Sequence, residues 1–348
     1  MSVLEEVEAP VPSTHLRTPG GAAGEEDFTA LVGSHRRELL AHCYRMTGSL
    51  ADAEELTQEA FLRAWRNRDG FRGAASARTW LYRIATNACL DFLKNHARRA
   101  QPSDSIVETL EHESGIDPFP DDDDPAAIVS QAETTDLYLT AALLHLPPRQ
   151  RAAVVTRDLL DLDAVTSAAV LETTVTAVNS LLQRAHARLR ELGARIEDVS
   201  APAATGDEDE IVRAYVDAHH RGDVAGILAL LSEDVRVSMP PEAPSRGLAQ
   251  AEALFAHLLG PTGPGTWTLV STRANGSPAV ANYVQGPGDP EAHALSIDVL
   301  RVRDGRIAGI HCFLGAEAFA AFGLGLVPSA PEIDGGDRRR TDQDSTRW

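Results

Sequence analysis

Between residues 101 and 136 the chain carries eleven Asp or Glu side chains and neither Lys nor Arg, with Pro102, Pro118, Pro120 and Pro125 among them. Such a run repels itself and has no apolar periodicity to bury, so it reads as an extended, solvated connector. The expectation is a chain of separate bodies on either side of it. The 348 residues leave room for three domains of ordinary size. Composition shifts divide the chain into a tail (1–26), a helical block (27–100), the acidic linker (101–133), a second helical block (134–193), a short polar linker (194–207), a third block (208–328) and a polar tail (329–348).

The overall net charge of −19 argues against nucleic acid, but its distribution argues for it. Residues 28–100 sum to +5 and residues 137–195 to +2, so two cationic blocks flank the anionic connector. The blocks can face phosphates. The connector is either an inert tether or a strand of negative charge lying where nucleic acid would otherwise lie. No apolar run approaches the ~20 residues of a membrane span. Met1 to Gly24 holds acids and prolines where a signal peptide has a basic start and an apolar stretch. The expectation is therefore a cytoplasmic protein with no membrane association. Cys43, Cys89 and Cys312 lie far apart and fit neither zinc spacing nor a disulfide framework, so no metal or cofactor is expected.

In the first helical block, Leu81, Ile84, Ala85, Ala88 and Phe92 recur at helical spacing, leaving Arg83, Thr86, Asn87 and Lys94 on the other side. Trp80 and Tyr82 follow Arg72 and Arg78; arginines beside aromatics suit phosphates and unpaired bases, although a Trp at a helix start is also a common core residue. On the preceding segment Asp52, Glu55 and Glu59 share one helix face with Gln58 near its edge. That stripe is either a solvated face or a docking face for a basic partner.

The string DAEELTQEAFLRAWR (Asp52–Arg66), followed by FRGAASARTWLYRIATNACLDFL (Phe71–Leu93), resembles region two of bacterial extracytoplasmic-function (ECF) sigma factors of the sigma-70 family over about seventy residues. The resemblance implies that Asp52, Glu55, Gln58 and Glu59 grip the coiled coil of the largest subunit of core RNA polymerase. It also implies that Phe71, Arg72, Arg78, Trp80, Tyr82, Arg83 and Asn87 hold the minus-ten element of promoter DNA. Ala77 departs from the apolar or aromatic residue many relatives have before Arg-Thr-Trp.

In the second block a helix starts after Pro147-Pro148, and a break at Glu172-Thr173 separates two short helices in helix-turn-helix fashion. Val175, Val178, Leu182, Ala185, Leu189 and Leu192 form the apolar stripe of the last helix. Its other face carries Thr176, Asn179, Ser180, Gln183, Arg184 and Arg188, side chains suited to base edges and phosphates. HLPPRQRAAVVTRDLL and TVTAVNSLLQRAHARLRE resemble region four of the same family, which implies that these six residues contact the minus-thirty-five element and that the polymerase flap is a second contact. Asp161-Leu162-Asp163 and His186 depart from the usual pattern, and the extra acids weaken non-specific attraction to phosphates. The family's linker threads the polymerase cleft, so the acidic connector is expected to act there as a mimic of the transcript's charge.

The third block begins with helix-like segments (Ile211–His219, Val224–Leu231, Leu248–Leu259) and continues with extended runs at 266–272, 279–284, 292–302 and 307–313. Turn signals at Asn275-Gly276, Gly286-Pro287-Gly288 and Asp304-Gly305 separate the runs. That pattern is an α+β domain with helices on a curved antiparallel sheet. EIVRAYVDAHHRGDVAGILALLSEDVRVSMPP and RVRDGRIAGIHCFL resemble the SnoaL-like (polyketide-cyclase-like) branch of the nuclear-transport-factor-2-like fold, a cone with a pocket. His219, His220, Asp298 and His311 are the candidates for that pocket.

The fold class expected is therefore two all-α domains, a region 2 bundle and a region 4 helix-turn-helix, followed by a cone-shaped α+β domain. The function expected is a promoter-specificity subunit of RNA polymerase, with no catalytic residues of its own, regulated by its last domain. The last domain also leaves room for a small ligand and for self-association. The alternative is a cyclase- or isomerase-type enzyme tethered to a helix-turn-helix module. A free-standing helix-turn-helix regulator is disfavoured, because it has no use for the Asp52/Glu55/Glu59 face.

Overall fold

The computed structural model describes residues 22–68, 71, 76–95, 116–121, 136–192, 206–240 and 242–328. The first body is a bundle of α1 (Ala22–Thr47), α2 (Leu50–Arg66) and α3 (Ala77–Asn95). Helix α1 begins within the stretch expected as a tail. Helix α2 is entered sharply: Gly48 takes a left-handed φ of +79°, and the Ser49 hydroxyl accepts the amide of Asp52 at 3.2 Å. Its buried face is Leu50, Ala53, Leu56, Thr57, Ala60, Phe61 and Ala64, against α1 and α3.

The second body contains α4 (Leu137–Leu144), α5 (Pro148–Val154, extended by a π-helical turn over Val155–Leu159), α6 (Ala164–Val170) and α7 (Val175–Glu191). The axes of α6 and α7 meet at 93°, the helix-turn-helix angle. Asp163 caps α6 by accepting the amides of Val165 and Thr166 at 2.8 and 2.9 Å, so the acid that departs from the family pattern serves the fold. The turn at Glu172 has φ +49°, and Thr174 caps α7. No single helix among the described residues is long and apolar enough to cross a membrane.

The third body contains α8 (Gly206–His220), α9 (Val224–Leu230), β1 (Leu231–Ser238), β2 (Ser245–Arg246), α10 (Gly247–Leu259), β3 (Thr266–Ala274), β4 (Ser277–Gln285), β5 (His293–Arg303), β6 (Arg306–Leu314) and α11 (Glu317–Ala321). The strands form one sheet in the order β2-β1-β6-β5-β4-β3, antiparallel except for the β1–β6 pair. The four expected extended runs are β3 to β6. Strands β1 and β2 were not expected. The β3–β4 and β5–β6 hairpins turn on Asn275-Gly276 (φ +56° and +71°) and Asp304-Gly305 (φ +51° and +69°), the left-handed pairs that two-residue hairpins require.

Alternation along the strands gives the sheet two working faces. Leu269, Val280, Leu300, Ile310 and Cys312 face α8, α9 and α10 and form one apolar core with them. Ala279, Ala281, Tyr283, Ile297 and Val299 face the other way and join Phe119, Phe319 and the helices of both other bodies in a second, continuous core. This outer face is occupied within the chain. The three bodies are therefore packed together rather than strung out. Residues 116–121 of the connector correct the expectation of a solvated tether: Phe119 is 1% exposed and Ile116 9%. Asp136, the last acid of the run, caps α4 by accepting the Leu139 amide at 2.8 Å; apart from it, Asp117 and Asp121, the acids of the run, Asp122 to Asp124 included, lie outside the described residues, as does Gly193.

Candidate polymerase and nucleic-acid interface

On α2 the residues opposite the buried face make a continuous surface strip. Glu55 and Gln58 are exposed, Asp52 and Glu59 half-buried, and Leu62 adds an apolar side chain that is 50% exposed. Glu59 accepts from Arg63 Nε at 2.7 Å, and Arg63 also approaches Asp91 at 3.8 Å. The strip thus holds a fixed carboxylate and two freely presented polar side chains beside an apolar knob. Leu62 was missed by sequence reasoning, although its place at i+3 and i+7 from Glu59 and Glu55 was legible.

The residues expected at the minus-ten element lie in different settings. Phe71 and Trp80 are half-buried with ring centroids 4.9 Å apart, which makes an aromatic ledge at the start of α3. Arg78 donates to Glu38 at 2.8 Å and lies over the Tyr82 ring, while the Tyr82 hydroxyl donates to the same Glu38 oxygen at 3.1 Å. Tyr82 is fully buried, and burial pushes its phenol pKa up, so it is a support for Arg78 and not a surface contact as expected. Arg83 is exposed but engaged: its Nε and Nη2 donate to Glu172 of the α6–α7 turn at 3.0 and 2.8 Å. Asn87 is half-buried one turn along α3, and Arg72 lies outside the described residues.

Helix α7 presents Thr176, Asn179, Gln183, Arg184 and Arg188 to solvent, as the sequence implies. Ser180 is half-buried and donates to the Thr176 carbonyl at 3.0 Å. Arg188 pairs with Glu191 at 3.3 Å. His186 lies 2.7 Å from Asp158, tying α7 to the π-helical turn. The two helical bodies meet through more than the Arg83–Glu172 bridge. Arg151 of α5 is buried and donates to the carbonyls of Leu143, Leu144 and Leu146 at 2.9, 3.0 and 3.2 Å, and to that of Met46 in α1. Burial lowers its pKa to about 10, still well above neutrality.

The candidate pocket residues of the last domain do not come together as a set. Register pairs Asp298 with Cys312 and Val299 with His311, so Asp298 and His311 lie on opposite faces of the sheet. Asp298 lines a narrow, mostly apolar slot with Tyr215, His219, Phe255, Trp267 and Asn282. Ser296 donates to it at 2.8 Å and Asn282 donates to Ser296 at 3.0 Å. Burial raises its pKa to about 6 against those hydrogen bonds. His219 donates from Nδ1 to the Tyr215 carbonyl at 3.1 Å, and burial lowers its pKa to about 4. His220 is outside the slot; its Nε2 accepts the Leu269 amide at 3.1 Å and tethers β3 to α8. His311 faces the second helical body, 2.7 Å from the Tyr138 hydroxyl, with Arg301 over the Tyr138 ring at 3.8 Å. The slot has a volume of about 30 Å³.

Three family models match the three bodies in order: Sigma-70 region 2 over residues 31–99, Sigma-70 region 4 over 136–189 and a SnoaL-like domain over 212–310. Along 314 residues the chain is 41% identical to the ECF RNA polymerase sigma factor SigG of Mycobacterium tuberculosis, covering 86% of this chain and 84% of that protein. This chain is an ECF sigma factor. SigJ of the same organism is 29% identical over 300 residues, covering 82% and 89%. The crystal structure of M. tuberculosis SigJ shares the fold, with a TM-score of 0.56 at 22% identity over 85% of this chain and 100% of that one. As an ECF sigma factor the protein directs core RNA polymerase to promoters. Its last domain is SnoaL-like, as the sequence implied.

Proposed function

We propose that this sigma factor is held by its SnoaL-like domain in a closed form that polymerase and promoter must open. The observation that carries the reading is the single apolar core shared by region 2, region 4 and the outer face of the sheet. The minus-ten and minus-thirty-five elements lie about 25 base pairs apart, roughly 85 Å along the duplex at ~3.4 Å per pair. Two bodies that share a core do not reach across that span. Arg83, a minus-ten residue on this reading, is also occupied by Glu172 of region 4. Closure therefore restrains promoter recognition.

In the opened form, Asp52, Glu55, Gln58 and Glu59, with Leu62, dock on the coiled coil of the largest polymerase subunit. The ledge of Phe71 and Trp80, with Arg72, Arg78, Arg83 and Asn87, takes the minus-ten strand. Thr176, Asn179, Ser180, Gln183, Arg184 and Arg188 read the minus-thirty-five duplex while region 4 rests on the flap. The cytoplasm is the working compartment, since polymerase and promoter are there. The SnoaL-like domain acts by contact rather than catalysis, because its candidate acid and base do not converge: His311 lies on the opposite face of the sheet from Asp298.

The test is run-off transcription with core polymerase on a promoter selected by the holoenzyme. A chain ending at Leu192 is expected to give more transcript per mole than the full-length protein at equal core occupancy. Equal or lower output from the shorter chain would refute restraint.

A further inference from the structure

The described part of the connector is bound as a peptide. Phe119 donates its amide to Asn275 Oδ1 at 2.9 Å and accepts the Asn275 amide at 2.8 Å. Asp121 donates its amide to the Arg273 carbonyl at 3.2 Å, and its carboxylate accepts the Gly276 amide at 2.9 Å. Pro120 forms an antiparallel bridge with Ala274. The segment thus continues the sheet beyond β3, the mode by which an extended peptide joins a sheet edge. The Phe119 ring is buried against Tyr44 of region 2, with centroids 4.9 Å apart.

From the same turn a line of hydrogen bonds enters region 2. Asn275 Nδ2 donates to the Tyr44 hydroxyl at 3.0 Å, and that hydroxyl donates to the Asp117 carbonyl at 2.7 Å. The Asp117 carboxylate accepts the Leu50 amide at 2.7 Å, which caps the first turn of α2, the helix assigned to polymerase docking.

We infer that the β3–β4 turn of the SnoaL-like domain is a binding site for an extended Asp-Pro-Phe-Pro-Asp peptide, and that the connector, as its occupant, is the latch of the closed form. The inference rests on the closed-form reading and adds which contact holds it. Release of residues 117–121 frees the connector from the sheet, uncaps α2 and removes the strut between region 2 and the last domain. The acids of this segment are therefore ligands of one turn and one helix end while the protein is closed. Any transcript-like role of the connector begins after release.

Asn275→Gly is the discriminating variant, because glycine keeps the left-handed turn and loses only the side-chain bonds. Asp304→Gly makes the same exchange at the exposed β5–β6 turn and is the control. Full-length protein is labelled at Lys94→Cys and Arg190→Cys; the native cysteines are buried. Energy transfer between the labels then reports the separation of regions 2 and 4. Loss of two net hydrogen bonds is expected to raise the open-to-closed ratio about tenfold. Asp304→Gly is expected to leave the ratio unchanged. Asp121→Asn, approached from the connector side, is expected to shift it in the same direction as Asn275→Gly by less. A ratio that stays at the wild-type value in Asn275→Gly and Asp121→Asn overturns the latch. Wild-type protein that opens on adding core polymerase and promoter keeps the closed-form reading in that case. Wild-type protein already open by itself overturns both.

Discussion

Phe119→Ala tests where the connector's binding energy resides. The ring is 1% exposed, lies 4.9 Å from Tyr44, and has Arg37 over it at 5.8 Å. Cation–π attraction at the outer limit of its range adds little, so burial decides the magnitude. Truncating a fully buried Phe costs about 3–5 kcal/mol. The lower end applies here, since a ring at the junction of two bodies leaves a space that their relative movement can close. About 3 kcal/mol is roughly a hundredfold in an equilibrium constant. The loss falls on the docking of the segment, because both backbone partners of Phe119 belong to Asn275 in another domain. Hydrogen exchange reads that docking directly. The amides of Asn275 and Gly276 are held by Phe119 and Asp121, whereas the β4–β5 ladder does not depend on the connector. The expected outcome is about a hundredfold loss of protection at Asn275 and Gly276, with protection of Val280 and Ile297 unchanged. Parallel loss along β4 and β5 would show that the ring supports the fold of the sheet. Unchanged protection at the turn would show that the connector is held by something else.

Glu55→Arg reverses an exposed charge in the middle of the α2 strip, and is expected to weaken core-polymerase binding at least tenfold at low salt, measured by fluorescence anisotropy; unchanged affinity would sink the docking assignment. Glu55 is a cleaner target than Glu59, whose reversal also removes the partner of Arg63. For Asp298 the sign follows from its raised pKa. The folded carboxyl keeps its proton up to about 6, whereas the unfolded one releases it near the ordinary carboxylate value of 3.8. Its contribution to stability is therefore fully present below pH ~4 and lost as pH rises through ~6, on the order of 3 kcal/mol. Asp298→Asn is expected to melt higher than wild type at pH ~7.5, with the gap closing toward pH ~4 in melting curves; a pH-independent gap would contradict the cause assigned.

The helical half and the four main strands were legible because each carries its own period. The apolar stripes of α2, α3 and α7, and the left-handed turn residues Asn275-Gly276 and Asp304-Gly305, act locally. Strand β1 was hidden because Ser232, Glu233 and Asp234 interrupt its apolar alternation, and its pairing with β6 is non-local and parallel. On α2 and α7 the sequence separates the buried stripe from the opposite face, where Glu55, Gln58, Thr176, Asn179, Gln183, Arg184 and Arg188 are exposed and Asp52, Glu59 and Ser180 half-buried. Tyr82 and His311 were misassigned. The partners that enclose them, Glu38 and Tyr138, are 44 and 173 residues away in sequence. The buried part of the connector was masked by its charge. Its signal was Phe119, an aromatic between two prolines in a chain with 5% aromatics, flanked by the acids that cap Leu50 and Gly276.

The exposed faces also set the order in which a closed sigma factor opens. A partner that binds closed and open forms equally shifts nothing, however tightly it binds. The α2 strip and the α7 face are both presented in the closed form, so polymerase or duplex bound to either one alone leaves the equilibrium where it was. The Arg83–Glu172 bridge is about half-exposed at both ends. Its rupture costs at most about 1 kcal/mol and is not the barrier. The barrier is the buried material: Phe119, the Tyr138–His311 contact and Arg151 on Met46. Moving a ratio from 99:1 to 1:99 takes about 5.5 kcal/mol of differential binding. That difference arises only when α2 and α7 are engaged together at a separation the closed form does not allow. On the closed-form reading, docking on polymerase therefore precedes opening, and opening precedes capture of the minus-ten strand.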